Sequence, residues 1–288
     1  MADSLEQWRR AGTAFNWQGH DIFVRRAGAP TAPVLLLIHG FPTASWDYAP
    51  LWAALAARWR VLTLDMLGFG FSAKPLGHAY PLANQADLIE DFLRADSVTD
   101  YHVLAHDYGD TVAQELLARN SAAPKLHSVC LMNGGIFPEA HRPLLIQRLL
   151  SSAAGPLVAR LSTRTTFAVS MRRIFARQRP PTPEELDGLW ALVTHGNGRA
   201  VLAAVSRYRL ERRSRRPRWV GALQTGAVPL RLIVGTEDPI AGATMANRYR
   251  QLVPQPDVVE LPGVGHYPQI EAPDQVLRAY NDFRARYR

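Results

Sequence analysis

The chain has 288 residues, 47% hydrophobic and 9% aromatic, which is enough apolar material for one large core plus an insertion. Its single cysteine, Cys130, excludes an intrachain disulfide, and no apolar stretch approaches the roughly 18 residues that a membrane-spanning helix needs. The net charge is +8, and arginine carries nearly all of the basic excess, because lysine occurs only at Lys74 and Lys125.

The opening MADSLEQWRRAG has no apolar h-region, so a cytoplasmic location is expected rather than a secretory signal. Phe15 to Gly28 reads as two short strands around Gln18-Gly19. VLLLIHGFP (34–42) is a continuous apolar run that ends in a loop. RVLTLDMLGFGFS (60–72), HVLAHDYG (102–109), HSVCLMNGG (127–135), LRLIVGTEDP (230–239) and DVVELPGVGH (257–266) repeat the pattern. Such runs suit strands buried on both faces of a parallel sheet. Stretches with apolar residues at spacings of three and four alternate with them: 46–59, 85–96, 111–120 and 272–287. Alternation of this kind predicts an α/β fold, a mostly parallel sheet with helices on both faces.

One region breaks the alternation. From about Pro138 to Leu223 there is no strand-like run, and Arg-Pro-Pro-Thr-Pro-Glu-Glu at 179–185 reads as a loop leading into a helix start. Residues 138–223 are expected to form an inserted helical cap, with 1–137 and 224–288 forming the core. Within the cap, SRYRLERRSRRPRW (206–219) is the densest basic run. It reads as a solvated helix and loop, with contact to an anionic membrane surface as the weaker alternative. No nucleic-acid motif accompanies it, and no nucleic-acid partner is expected.

VLAHDYGDTVAQELL (103–117) has the form of a nucleophile elbow, a tight strand-to-helix turn whose tip residue is held above the sheet. Small residues flank the tip at the required spacing, Ala105 and Gly109, but the tip is Asp107 rather than serine. Asp107 could instead cap the following helix. The remaining spacing favours the elbow: an acid and then a histidine must follow, each after a strand. Asp238 and His266 occupy those places, with Glu237 a weaker competitor for the acid. The oxyanion hole is expected from the N–H groups of Tyr108 and Phe41, since Pro42 has none. The pocket between sheet and cap is expected to draw on Phe41, Tyr108, Ile136, Phe137, Phe167, Trp190 and Tyr267, which suits a small hydrophobic substrate. The sequence calls for no cofactor and no metal.

Together these residues resemble the α/β-hydrolase fold in its aspartate-nucleophile branch, which includes epoxide hydrolases and haloalkane dehalogenases. HGFP resembles the H-G-x-P motif of that branch, whose bond before proline is typically cis, and GFGFS (68–72) resembles the small-residue loop of epoxide hydrolases. HGFPTASWDY, DMLGFGFSAKP, HDYGDTVAQELLAR and LMNGGIFPEAHRPLL are similar to the mesoderm-specific transcript subgroup. The resemblance implies attack by Asp107 on an sp3 carbon, followed by hydrolysis of the resulting ester by water that His266 activates and Asp238 helps to orient. It implies an epoxide as substrate, with Tyr208 in the setting of the cap tyrosine that protonates the opening oxygen. The usual second cap tyrosine is missing, leaving His195 or His141 as substitutes. A haloalkane or haloacid dehalogenase, and a non-catalytic binding protein, are the alternatives. Tyr108 and Phe41 depart from the halide-binding pattern of dehalogenases. Asp110 has no role that the sequence explains.

Overall fold

The computed structural model describes residues 2–287. Helix α1 (Leu5–Arg10) precedes a hairpin of β1 (Thr13–Trp17) and β2 (His20–Ala27). Gln18 and Gly19 both take positive φ there, the geometry that lets a two-residue turn follow the strand twist. β3 (Val34–Ile38) is buried at every residue. A short 3-10 turn at Ser45–Tyr48 leads into α2 (Ala49–Ala56) and then β4 (Arg60–Leu64). Next come α3 (Leu82–Ala95), β5 (Asp100–His106), α4 (Tyr108–Arg119) and β6 (Lys125–Met132). α3 buries Leu82, Gln85, Leu88, Ile89, Phe92 and Leu93, one stripe at helical spacing against the sheet.

Between β6 and the next strand lie seven helices and, among the described residues, no strand. They are α5 (Leu145–Leu150), α6 (Gly155–Leu161), α7 (Arg164–Ile174), α8 (Pro183–Thr194), α9 (Gly198–Val205), α10 (Tyr208–Ser214) and α11 (Arg216–Gln224). α8 starts where the sequence signals it. The Thr182 hydroxyl accepts from the Glu185 N–H, the Glu185 carboxylate accepts in return from the Thr182 N–H, and Pro183 takes the first helical position. The chain then completes the sheet with β7 (Leu230–Gly235), α12 (Ala243–Leu252), β8 (Val258–Leu261), α13 (Pro268–Glu271) and α14 (Pro273–Arg286).

The eight strands form one sheet in the order β1-β2-β4-β3-β5-β6-β7-β8, antiparallel at β1-β2 and β2-β4 and parallel from β4 onward. Two apolar clusters cover its faces. One joins Leu36, Val103 and Leu131 to α3, α4 and the helices after β6. The other joins Leu37, Leu104 and Ile233 to α2 and α14. The parallel strands end together at one rim, and the loops at that rim carry His39, Asp107, Asn133, Asp238 and His266. This is where open α/β sheets place their ligands. No helix among the described residues is long and apolar enough to cross a membrane.

Candidate active site

β5 ends at His106, the chain turns at Asp107 with φ 47° and ψ −101°, and α4 begins at Tyr108. A non-glycine residue held there costs roughly 1–3 kcal/mol, which the surrounding packing must offset. The turn is close because Gly109 is bare: a Cβ there would lie 2.4 Å from the Ile38 carbonyl oxygen and 2.7 Å from that of His39. Asp107 occupies the cap position of α4, yet its side chain makes no capping bond. Its Oδ2 instead accepts from the Phe41 N–H at 3.2 Å. The structure therefore removes the helix-cap alternative and aims the carboxylate over the rim. The loop that supplies Phe41 is fixed by His39, whose Nε2 accepts from the Met66 N–H at 3.0 Å, and the Phe41-Pro42 bond is cis.

His266 and Asp238 come from two further loops. His266 Nδ1 lies 2.8 Å from Asp238 Oδ2, and its Nε2 lies 4.0 Å from Asp107 Oδ2. That second distance is too long for a hydrogen bond. Besides His266, two donors hold Asp238, and one of them is itself anchored. The Asn133 amide donates to Oδ2 at 2.8 Å, the Ile240 N–H donates to Oδ1 at 2.8 Å, and Asn133 itself accepts from the Gly235 N–H at 2.8 Å. Glu237, the competing acid, is exposed. Asn133 was not anticipated, since NGG after a strand reads only as a turn.

The charges follow from burial and neighbours. Burial opposes ionisation of Asp107, but His266 and Arg212 outweigh it and hold the carboxyl below its ordinary value. Burial also disfavours the His266 imidazolium, yet Asp238 and then Asp107 overcome it and push its pKa up to about 9. His106 goes the other way: burial and the nearby His266 lower it to about 4, and as a neutral ring its Nε2–H donates to the His266 carbonyl at 2.7 Å. Asp110 is fully buried and raised well above a normal carboxyl, chiefly by desolvation. Its Oδ1 accepts from the Met132 N–H, so it ties α4 to the end of β6.

Arg212 is the largest departure from the sequence reading. The basic run 206–219 was expected to be solvated, and most of it is, but Arg212 is only 3% exposed. Its Nη2 donates to the Asp107 carbonyl at 2.9 Å and lies 3.7 Å from Asp107 Oδ1, and its Nε donates to Thr111 at 2.6 Å. One buried arginine among exposed ones at adjacent positions cannot be read from composition. Its position four residues after Tyr208, on the same helix face, is the signal that was available.

Tyr208 starts α10 and is 1% exposed. Its ring packs on Tyr108 and Phe41 with centroids 4.7 and 5.8 Å away, and the Arg212 guanidinium lies 4.6 Å over it. The Tyr208 hydroxyl makes no well-formed hydrogen bond among the described residues. His141 lies behind this cluster and is lowered to about 3 by burial and then by Arg212. His195 does not reach the site. It packs on Phe71 at 5.2 Å and lines a surface cleft with Lys74, because the loop after α8 runs along the core's edge.

An apolar cavity of about 140 Å³ opens between the rim and the helices after β6, with Phe41, His266, Leu150, Met171, Trp190 and Leu202 in its wall. Of the residues assigned to the pocket from sequence, Phe41, Phe167 and Trp190 line this cavity. Tyr108, Ile136, Phe137 and Tyr267 do not, and this corrects the sequence reading. They are buried below the cavity, Tyr108 against Phe69 and Tyr208, Phe137 against Tyr249, and Tyr267 stacked on Phe175. The helices after β6 supply the wall instead.

Fold and rim define an α/β hydrolase, and the sequence pattern of the alpha/beta hydrolase family matches residues 35–279, so the chain belongs to that family. It is 38% identical to the mesoderm-specific transcript protein of Mus musculus, over 98% of this chain and 88% of that protein. It is 28% identical to haloalkane dehalogenase 2 of Mycobacterium tuberculosis, over 86% of this chain and 87% of that one. The crystal structure of haloalkane dehalogenase DbeA from Bradyrhizobium elkani superposes with a TM-score of 0.81 at 18% identity, covering 95% of this chain and 97% of that one.

Proposed function

We propose that this hydrolase opens epoxides to vicinal diols through an ester on Asp107. In the first step an Asp107 oxygen attacks an epoxide carbon. The carbon–oxygen bond breaks, and the released oxygen takes its proton from Tyr208, which regains one from water. In the second step His266 removes a proton from water as it attacks the Asp107 carbonyl carbon. The Phe41 and Tyr108 N–H groups receive the oxyanion, and collapse expels the diol with a proton from His266. Asp238, held by Asn133, keeps the imidazole in the orientation that both transfers need.

The observation that carries the epoxide reading is the Tyr208 hydroxyl, buried beside the nucleophile without a well-formed partner. Leaving a buried donor unsatisfied costs about 1–3 kcal/mol, so its presence suits a donor reserved for substrate oxygen. Burial raises the Tyr208 pKa above that of a free phenol, which keeps it an O–H donor at neutral pH. The apolar cavity suits an alkyl or aryl epoxide.

Dehalogenation is the second reading. Haloalkane dehalogenase 2 shares 28% identity, and Trp190 in the cavity wall offers an indole N–H to a halide. A panel of aryl and alkyl epoxides, haloalkanes and fluoroacetate separates the two. Diol release without halide release supports the epoxide reading, and halide release with epoxides inert overturns it.

A further inference from the structure

Behind the nucleophile, on the far side of α5 from the apolar cavity, lies a second opening of a different character. A narrow inner space of about 20 Å³ is walled by Pro138, His141, Pro143, Arg209, Arg212 and Arg213. A cleft of about 530 Å³ shares four of those residues and adds Arg148, Ser151, Ser152 and Leu210. Four arginines therefore converge, and no carboxylate lines either space. Arg148, Arg209 and Arg213 form no ion pair among the described residues, whereas Arg216 and Arg218 nearby are paired with Glu139 and Glu115.

The floor carries donors without acceptors. Arg212 Nη1 and Arg209 Nε are buried donors that make no well-formed hydrogen bond among the described residues, and the buried His141 Nε2 beside them has no partner there either. Gly135 lets them approach: a Cβ there would fall 2.3 Å from Arg212 Nη1 and 2.8 Å from the His141 ring. Burial, and then crowding by Arg212, Arg213 and Arg148, hold Arg209 below its ordinary pKa.

We infer that this cleft binds a phosphate group, received by Arg212, Arg209 and His141 on the floor and by Arg148 and Arg213 at the mouth. Convergent guanidinium donors are suited to a tetrahedral, multiply charged anion, and bidentate contacts make arginine the residue of choice for it. The inner space has room for about one phosphate oxygen or a water, and the outer cleft has room for the rest of the phosphate and whatever bears it. Occupancy is felt at the elbow, because Arg212 faces the cleft with Nη1 while its Nη2 holds the Asp107 carbonyl.

The test is calorimetric titration of the intact chain with inorganic phosphate, against chloride and acetate at matched ionic strength. The expected result is one phosphate per chain, with acetate much weaker. Arg209→Gln should weaken binding about tenfold or more, the size of a charged hydrogen bond. Should that variant fail to fold, Arg148→Gln with Arg213→Gln, both exposed, makes the same comparison. Co-sedimentation with phosphatidylcholine vesicles, with and without phosphatidic acid, distinguishes a lipid head group from a free phosphate. Retention that depends on phosphatidic acid and is lost in the variants supports the site and names its source. No binding by either phosphate or vesicles, acetate as tight as phosphate, or undiminished binding by the variants overturns it.

Discussion

Asp107 and His266 hold each other in opposite charge states, and this fixes how the site should respond to pH. The folded pKa of His266 is raised from 6.5 to about 9, so its stabilising contribution is full below about 6.5 and is lost as pH rises through 9. Asp107 is lowered, so its contribution is present above the ordinary carboxylate range and is lost as pH falls through its folded value. The gap in urea midpoint between wild type and His266→Gln should therefore narrow between pH 6.5 and 10. A constant gap would show that the raised pKa is absent. In the ester Asp107 is neutral, one support of the imidazolium is gone, and the His266 pKa should fall below 9. The rate of ester hydrolysis should then rise with pH through a value below 9 in single-turnover measurements. His266→Gln should still form the ester and slow its hydrolysis roughly 10²–10⁴-fold, the usual worth of a general base. Tyr208→Phe should slow ester formation by a similar factor while leaving the chain equally stable or up to about 1 kcal/mol more stable, because the lost hydroxyl has no well-formed partner. A variant that alkylates at the wild-type rate would reduce Tyr208 to packing. That Asp107, Asp238 and His266 meet at one rim was legible because elbow spacing and chain order are local. Arg212 and Asn133 were not, because their roles depend on which loop each meets across the rim.

The elbow stands on contacts between backbones. Gly109→Ala would place a Cβ 2.4 Å from the Ile38 carbonyl oxygen, and neither β3 nor α4 can yield cheaply. A loss of about 1–3 kcal/mol in chemical denaturation is expected, the usual range for overpacking. Asp107→Gly should do the opposite, removing activity while relieving a left-handed residue, with a gain of about 1 kcal/mol or more. A loss of stability in that variant would mean that the carboxylate contributes more than the strained turn costs. The parallel strands were readable because burial on both faces leaves continuous apolar runs, as in Val34 to Ile38. α12 was not anticipated, because its buried residues are only Met245, Ala246 and Tyr249 within a polar stretch.

The molecule divides its surfaces between two chemistries, with α5 as the partition. Ile146 and Leu150 face the apolar cavity, and Arg148 faces the basic cleft. That helices rather than strands fill the insertion between β6 and β7 was foreseeable from the missing strand-like runs, but the cavity wall was not. Which of its apolar residues turn inward depends on how seven short helices pack, and the four candidates from outside it, Tyr108, Ile136, Phe137 and Tyr267, are buried in the core. Leu202→Phe, in the cavity wall, should raise KM for aryl epoxides more than for small alkyl ones, since added bulk removes space without touching the rim. The central claim, a covalent ester on Asp107, is tested most directly by one turnover in heavy-oxygen water with enzyme in excess. If Asp107 attacks the substrate, the diol of that turnover carries no solvent oxygen, and mass spectrometry of the peptide holding Asp107 shows one heavy oxygen in its carboxylate. A heavy oxygen in the first diol, with Asp107 unlabelled, would mean that water attacks the substrate directly and would contradict the account.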